Sequence, residues 1–212
     1  RRPMKTPESG TEVFAIDTRS DTDTYSSTDP AYSAGFYPDF ILNRDVSNAV
    51  NTFAASRLTN SKLLYTNLTN SEATSTNGVY LFDKENGWGG STASASTDFY
   101  AWMWKRAPGF FDVVCYEGDG TTSNVINHNL GVEPEMIWFK CRSSAYNWVA
   151  GNASKGGNLD TSNAFLSNAL YTFQESTFTL TSTNTKVNQS GQNYIAYLFA
   201  SLDGVSKVFS VT

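Results

Sequence analysis

The sequence predicts an all-β protein built from two tandem β-sandwich-like repeat units with short helical turns in loops, and three observations carry that prediction. Aromatic residues supply 14% of the chain and charged residues only 17%, with Ser, Thr and Asn filling about a third of it; Tyr, Phe, Trp and Thr fit a pleated, half-buried surface, whereas disordered chains pair high charge with few aromatics. Short apolar runs bounded by Gly, Asn, Asp and Pro recur throughout, and no stretch sustains the 3.6-residue apolar period of a helix. Finally, the landmarks repeat. Gly35-Phe36-Tyr37-Pro38-Asp39-Phe40-Ile41 is echoed 96 residues later by Gly131-Val132-Glu133-Pro134-Glu135-Met136-Ile137.

The echo continues along the chain in the same order. Arg44 answers Arg142, Phe82 with Trp88 answers Phe173 with Phe178, and the run 99–104 answers 194–199. These matches divide the chain into an N-terminal extension (1–11), a first unit (12–108), a second unit (109–204) and a final segment (205–212). That last segment reads either as a strand closing the second sheet or as the start of a third unit, because Phe209-Ser210-Val211 parallels Phe111-Asp112-Val113.

Within the first unit, Val13-Phe14-Ala15-Ile16 reads as the opening strand, 53–64 as a place for a helical turn or two, and Asn77-Gly78 as a hairpin turn. The run 99–104 is apolar on both faces, with Tyr100, Trp102 and Trp104 on one and Phe99, Ala101 and Met103 on the other. Such a strand is expected to be covered on two sides. The second unit opens with a strand over 111–116, turns at Glu117-Gly118-Asp119-Gly120 and resumes at 125–127, the pattern of a hairpin. His128-Asn129-Leu130-Gly131 then turns the chain into a strand over 136–140, with Pro134 at its head, where a missing N–H is tolerated. A second helical turn is expected in 164–171, and 194–199 is again apolar on both faces.

Charge and cysteine content exclude several functions. The net charge of −5 is spread over both units, with seven basic against eleven acidic groups in 12–108 and four against eight in 109–204. Neither half offers the Lys/Arg excess by which proteins neutralise phosphates, so nucleic acid is not an expected partner. No apolar run approaches the length of a bilayer span and no signal peptide precedes the first strand, so membrane insertion is not expected. Arg1 in place of an initiator Met reads as a cleavage point or as an excerpt of a longer chain. Cys115 and Cys141 each sit in an apolar stretch and read as buried thiols, kept reduced if the chain is assembled in a cytoplasm.

No catalytic set emerges. His128 is the only histidine, lies between two asparagines in a turn, and has no Gly-x-Ser-x-Gly elbow to serve. One His and two Cys fall short of a zinc site, and neither Asp17–Asp23 nor Glu117–Gly120 follows a calcium-loop spacing. No metal and no cofactor is expected. The acid pairs Asp21/Asp23, Asp39/Asp45 and Glu117/Asp119 could in principle serve glycoside hydrolysis, but each falls where solvated turns are expected. An alternative of a different class is a glycan-binding or glycan-cleaving module that stacks sugars on an exposed Trp88, Tyr146 or Trp148 beside loop acids. Trp88 is its leading candidate because Gly87, Gly89 and Gly90 flank it, although its repeat counterpart Phe178 points to core.

The segment from Phe110 to Gly120, with its Tyr116-Glu117-Gly118-Asp119-Gly120, followed by His128-Asn129-Leu130-Gly131-Val132-Glu133-Pro134 and a strand ending in Lys140 and Arg142, resembles a repeat found in structural proteins of tailed bacteriophages. Tyr194-Ile195-Ala196-Tyr197-Leu198-Phe199-Ala200 and Asp203-Gly204-Val205-Ser206-Lys207 fit the same pattern. In the first unit Ala34-Gly35 stands where His-Asn-Leu-Gly is expected, and Asp17–Asp23 replaces Tyr-x-Gly-x-Gly without glycine. The resemblance implies a non-enzymatic virion protein, of tail-fibre or tail-appendage type, assembled in the bacterial cytoplasm. Its implied partners are other virion proteins and a host-surface receptor, with homo-oligomerisation common among fibres; a capsid decoration protein is a further alternative. No catalytic residue is carried over.

Overall fold

The computed structural model describes residues 4–19, 30–59, 62–74, 82, 84–89, 98–167 and 170–209. The first repeat contributes β1 (Phe14–Arg19), β2 (Tyr32–Ser33), β3 (Phe40–Asp45), β4 (Phe53–Ser56), β5 (Lys62–Tyr65), β6 (Ala73–Thr74), β7 (Gly87–Trp88) and β8 (Phe99–Trp104). The second contributes β9 (Phe111–Glu117), β10 (Asn124–Asn127), β11 (Met136–Cys141), β12 (Val149–Gly151), β13 (Lys155–Asn158), β14 (Leu166–Ser167), β15 (Tyr171–Phe173), β16 (Thr177–Leu180) and β17 (Asn193–Phe199). The protein is all-β.

Among the described residues each repeat forms a six-stranded antiparallel sheet, and the two sheets have one strand order. It is β1-β8-β3-β4-β5-β6 in the first repeat and β9-β17-β11-β12-β13-β14 in the second. Register matches too. Trp104 of β8 pairs with Phe14 on one side and Phe40 on the other, just as Phe199 of β17 pairs with Phe111 and Met136. A one-residue slip would turn every inward side chain outward, so agreement in register means agreement in which residues are buried. The connecting bonds recur as well: Lys105 N–H donates to Val13 O as Ala200 N–H does to Phe110 O, and Val46 N–H to Asp98 O as Arg142 N–H does to Asn193 O. The register shifts one proposed match, since Arg44 pairs with Tyr100 as Lys140 pairs with Ile195; the counterpart of Arg44 is therefore Lys140, not Arg142.

A smaller sheet packs on one face of each large one. In the first repeat it is β2-β7, with Tyr32 opposite Trp88, and in the second it is β10-β16-β15, with Ile126 opposite Phe178. Tyr32, Trp88 and Phe36 close over Ile41, Ala55, Leu63, Ala101 and Met103. Phe173, Phe178 and Leu180 close over Ile137, Phe139, Ala196 and Leu198. Trp88 and Phe178 are each enclosed in the core of their own repeat. Each repeat is a small sandwich whose alternating inward side chains supply the hydrophobic driving force.

The chain divides into two compact units: Thr11–Asn67 with Glu72–Lys105, and Arg106–Thr212 with Arg1–Gly10 and Leu68–Ser71.

Several local expectations are corrected. The segment after β9 is not a hairpin: β9 pairs with β17 in the large sheet and β10 with β16 in the small one, so Glu117–Gly120 carries the chain from sheet to sheet. The helical turn expected in 53–64 is present as a 3-10 turn (Arg57–Thr59) between β4 and β5, whereas the described part of 164–171 holds strand residues and no helix. The outer face of β8 is only partly covered, with Tyr100 exposed and Trp102 and Trp104 half-buried, whereas β17 is buried on both faces. Residues 205–209 add no strand to the large sheet. The Asn77-Gly78 turn lies outside the described residues.

Candidate functional site

The motif residues of the second repeat converge on two clamps. At the first, Tyr116 stacks on Tyr194, with ring centroids 5.2 Å apart, and its hydroxyl donates to Val187 O at 2.8 Å. The Tyr194 hydroxyl donates to Thr185 O and accepts the Gln189 N–H. Gly118 lies so close to the 188–192 loop that a Cβ there would sit 2.3 Å from Gln189 O. Asn188, fully buried, completes the clamp. Its oxygen accepts from Asp119 N–H and Asn124 Nδ2, and its amide donates to Asp119 Oδ1 and Thr121 O. Hydrogen bonds, led by the one from Thr121 N–H, lower the Asp119 pKa. Tyr-x-Gly-x-Gly is thus a crossover between two sheets, with its tyrosine in the core and its first glycine admitting a neighbouring backbone.

The second clamp surrounds the histidine. His128 Nδ1 accepts from Leu130 N–H at 3.3 Å, which leaves the proton on Nε2 to donate to Gln174 O at 3.2 Å. Burial lowers its pKa. Asp112, completely buried, accepts from Asn129 N–H at 2.6 Å and from Val113 N–H at 2.9 Å. The Arg106 guanidinium approaches it to 3.9 Å. Burial raises the Asp112 pKa, and the two backbone donors and Arg106 offset only part of that. Both imidazole nitrogens are engaged by backbone groups, so the ring orients a turn.

Of the residues proposed as exposed sugar platforms, Trp88 and Trp148 are not exposed. Trp88 and Trp148 are both fully buried, Trp88 stacked on Tyr32 and Trp148 on Tyr197, at centroid distances of 5.0 and 6.0 Å. Trp88 reads as a loop tip in sequence because glycines flank it, yet Gly87 pairs with Ser33 in a strand so tight that a Cβ would meet Tyr32 O at 1.9 Å. Tyr146 is half-buried against the second core, with its hydroxyl donating to Gln189 Oε1 at 2.8 Å.

The acid pairs are dispersed in turn-holding roles. Asp39 faces Arg57 Nε at 3.5 Å, and Asp45 accepts the Ser47 and Asn48 N–H groups. Asp21 and Asp23 lie outside the described residues. Among the described residues no group of three or more His, Cys, Asp or Glu side chains could hold a metal ion, and no helix is long and apolar enough to cross a membrane. Cys141 is buried but Cys115 is exposed, correcting the expectation for the latter; on β9 it shares the outward alternation of Phe111 and Val113. Cys115 and Cys141 form no disulfide.

What sequence reasoning missed is an open apolar groove of about 880 Å³ on the outer face of the second large sheet, lined by Met136, Trp138, Ala150, Phe165 and Phe209 among others. Alternation along 136–140 would have placed Met136 and Trp138 outside, opposite Ile137 and Phe139. Phe165 was hidden by the expectation of a helical turn around it.

Residues 16–212 match a domain of unknown function (DUF7483). No curated protein and no solved structure matches the chain.

Proposed function

We propose that this chain, which belongs to the DUF7483 family of domains of unknown function, is a passive, non-enzymatic building block of a virion, in a tail fibre or tail-associated part that mediates assembly or host attachment. The observation that carries the reading is where the motif side chains are spent. Tyr116, Asn188, Asp112 and His128 all hold turns through bonds to backbone groups, and Gly118 admits a neighbouring backbone. Duplication of one strand order and register supports it further, because repeated units that stack are a common way to build extended structural proteins. The virion itself enters through the likeness of 109–204 to phage structural repeats. A glycan-binding reading loses its support where Trp88 and Trp148 are buried.

The test is immunogold labelling of purified particles from a phage that encodes this chain. Gold on tail structures supports the reading, gold on the head favours a capsid decoration protein, and particles that carry no label while the infected cell contains the chain contradict it.

A further inference from the structure

The two repeats carry one loop of the same design. Residues 66–72 lead from β5 to β6 and residues 159–165 from β13 to β14, seven in each case. Their bases are tied alike. Thr66 N–H donates to Thr52 O and Leu159 N–H to Trp148 O, both at 3.0 Å. Asn67 Oδ1 accepts the Thr52 N–H and its amide donates to Asn51 Oδ1, while Asp160, its counterpart, accepts from Trp148 N–H and from Asn147 Nδ2. The tips read Leu68-Thr69-Asn70-Ser71 and Thr161-Ser162-Asn163-Ala164. Thr69 and Ser162 are counterparts, since Leu63 faces Ala73 as Gly156 faces Leu166.

The two tips meet different fates. Residues 68–71 belong to the compact unit of the second repeat, where Thr69 O accepts from Lys140 Nζ at 2.9 Å. Lys140 stands on the outer side of the second large sheet beside Ile195, with Val113 in the next row, and all three are 0% exposed. The matching positions of the first sheet are open. Arg44, the counterpart of Lys140, is exposed and reaches only Thr52 Oγ1, at 3.4 Å. Tyr100, the counterpart of Ile195, is 37% exposed, and Ile16, the counterpart of Val113, is 54% exposed. Residues 161–164, the second tip, are all exposed as well. One tip is thus seated, while a second tip of the same design and a second face of the same register both stand open.

From this pairing we infer that the outer face of the first large sheet is the docking seat for residues 161–164 of a second copy of the chain, with Arg44 donating to Ser162 O as Lys140 donates to Thr69 O. Ile16 and Tyr100 supply the apolar floor, in the places that Val113 and Ile195 take on the second sheet. The occupant is identified by the contact already made: the same loop fills the same place on the other repeat. Repeat proteins bury between neighbours the surfaces that one unit cannot cover alone. Tip and face lie on different repeats, so the association is heterologous and either continues into short chains or closes into a ring. This inference uses only the repeat geometry and stands whether or not the protein belongs to a virion.

Sedimentation velocity of the full chain across a concentration series tests it. Wild type is expected to self-associate reversibly. Ser162→Arg brings a like charge to Arg44 of the next copy, and Arg44→Glu removes the donor. Each variant alone should associate at least about tenfold more weakly, while keeping the wild-type far-UV circular dichroism and unfolding midpoint. Mixing supplies the decisive arm. In equal amounts the two variants set the introduced arginine against the introduced glutamate at one contact and native groups at the other, so association should recover. A wild-type chain that stays monomeric at every concentration overturns the inference. So does self-association unchanged in both variants, or a mixture that associates no more strongly than either variant alone.

Discussion

At the scale of single residues, Gly118, Asp112 and His128 carry the account. Any side chain at Gly118 meets the backbone oxygen of Gln189, and backbone cannot swing aside as a side chain can. Gly118→Ala should therefore cost about 1–3 kcal/mol in urea unfolding, the range of a forced overpacking. His128→Ala removes one donor and one acceptor from buried backbone partners and should cost about 1–3 kcal/mol by the same measurement. Asp112 makes a prediction about pH. Its folded pKa is raised above the ordinary value of 3.8 by burial, so the folded state holds its proton where the unfolded chain has released it. Its stabilising contribution is complete below the ordinary carboxylate range and is lost as pH rises through the raised folded value. Unfolding midpoints measured upward from pH 3.5 should fall more steeply in wild type than in Asp112→Asn. Sequence reasoning read His128 correctly as a turn residue, because a lone histidine between asparagines has no catalytic company. It could not read Asp112, whose role depends on a backbone donor 17 positions away.

Elements explain where the sequence reading succeeded and where it failed. Strands β8, β11 and β17 were legible because apolar runs and Gly-x-x-Pro are local signals. The crossover after β9 was not, because a Gly-Asp-Gly turn looks the same whether the next strand pairs with its predecessor or joins another sheet. Trp88 failed similarly: its flanking glycines announce a loop, but they permit the close pairing of β2 with β7 that buries the ring. Lys140 shows what an outward alternation can conceal. It stands on the outer side of β11, yet it is fully buried and its ammonium donates to Thr69 O and Tyr146 O, pinning two loops. Burial lowers its pKa from 10.5 to about 8. The unfolded chain then binds more protons than the folded one above about pH 8, and stability should rise with pH from there to the ordinary lysine range. Lys140→Met should abolish that rise, measured as urea midpoints between pH 7 and 10.

For the molecule as a whole, the duplication organises everything else. Low identity between the halves coexists with one strand order and one register, since a sheet constrains which side chains point inward far more than which apolar residue each one is. Phe40 can therefore stand for Met136. The side chains at matched positions differ on the outer face, where the second repeat places Gly157 and Phe165 against the first repeat's Leu64 and Glu72. An experimentally determined structure at a resolution that fixes strand register tests the duplication directly. The account predicts Trp104 paired with both Phe14 and Phe40, and Phe199 paired with both Phe111 and Met136, with Trp88 and Phe178 enclosed in equivalent cores. A register displaced by one residue in either large sheet, or a solvent-facing Trp88, would contradict it.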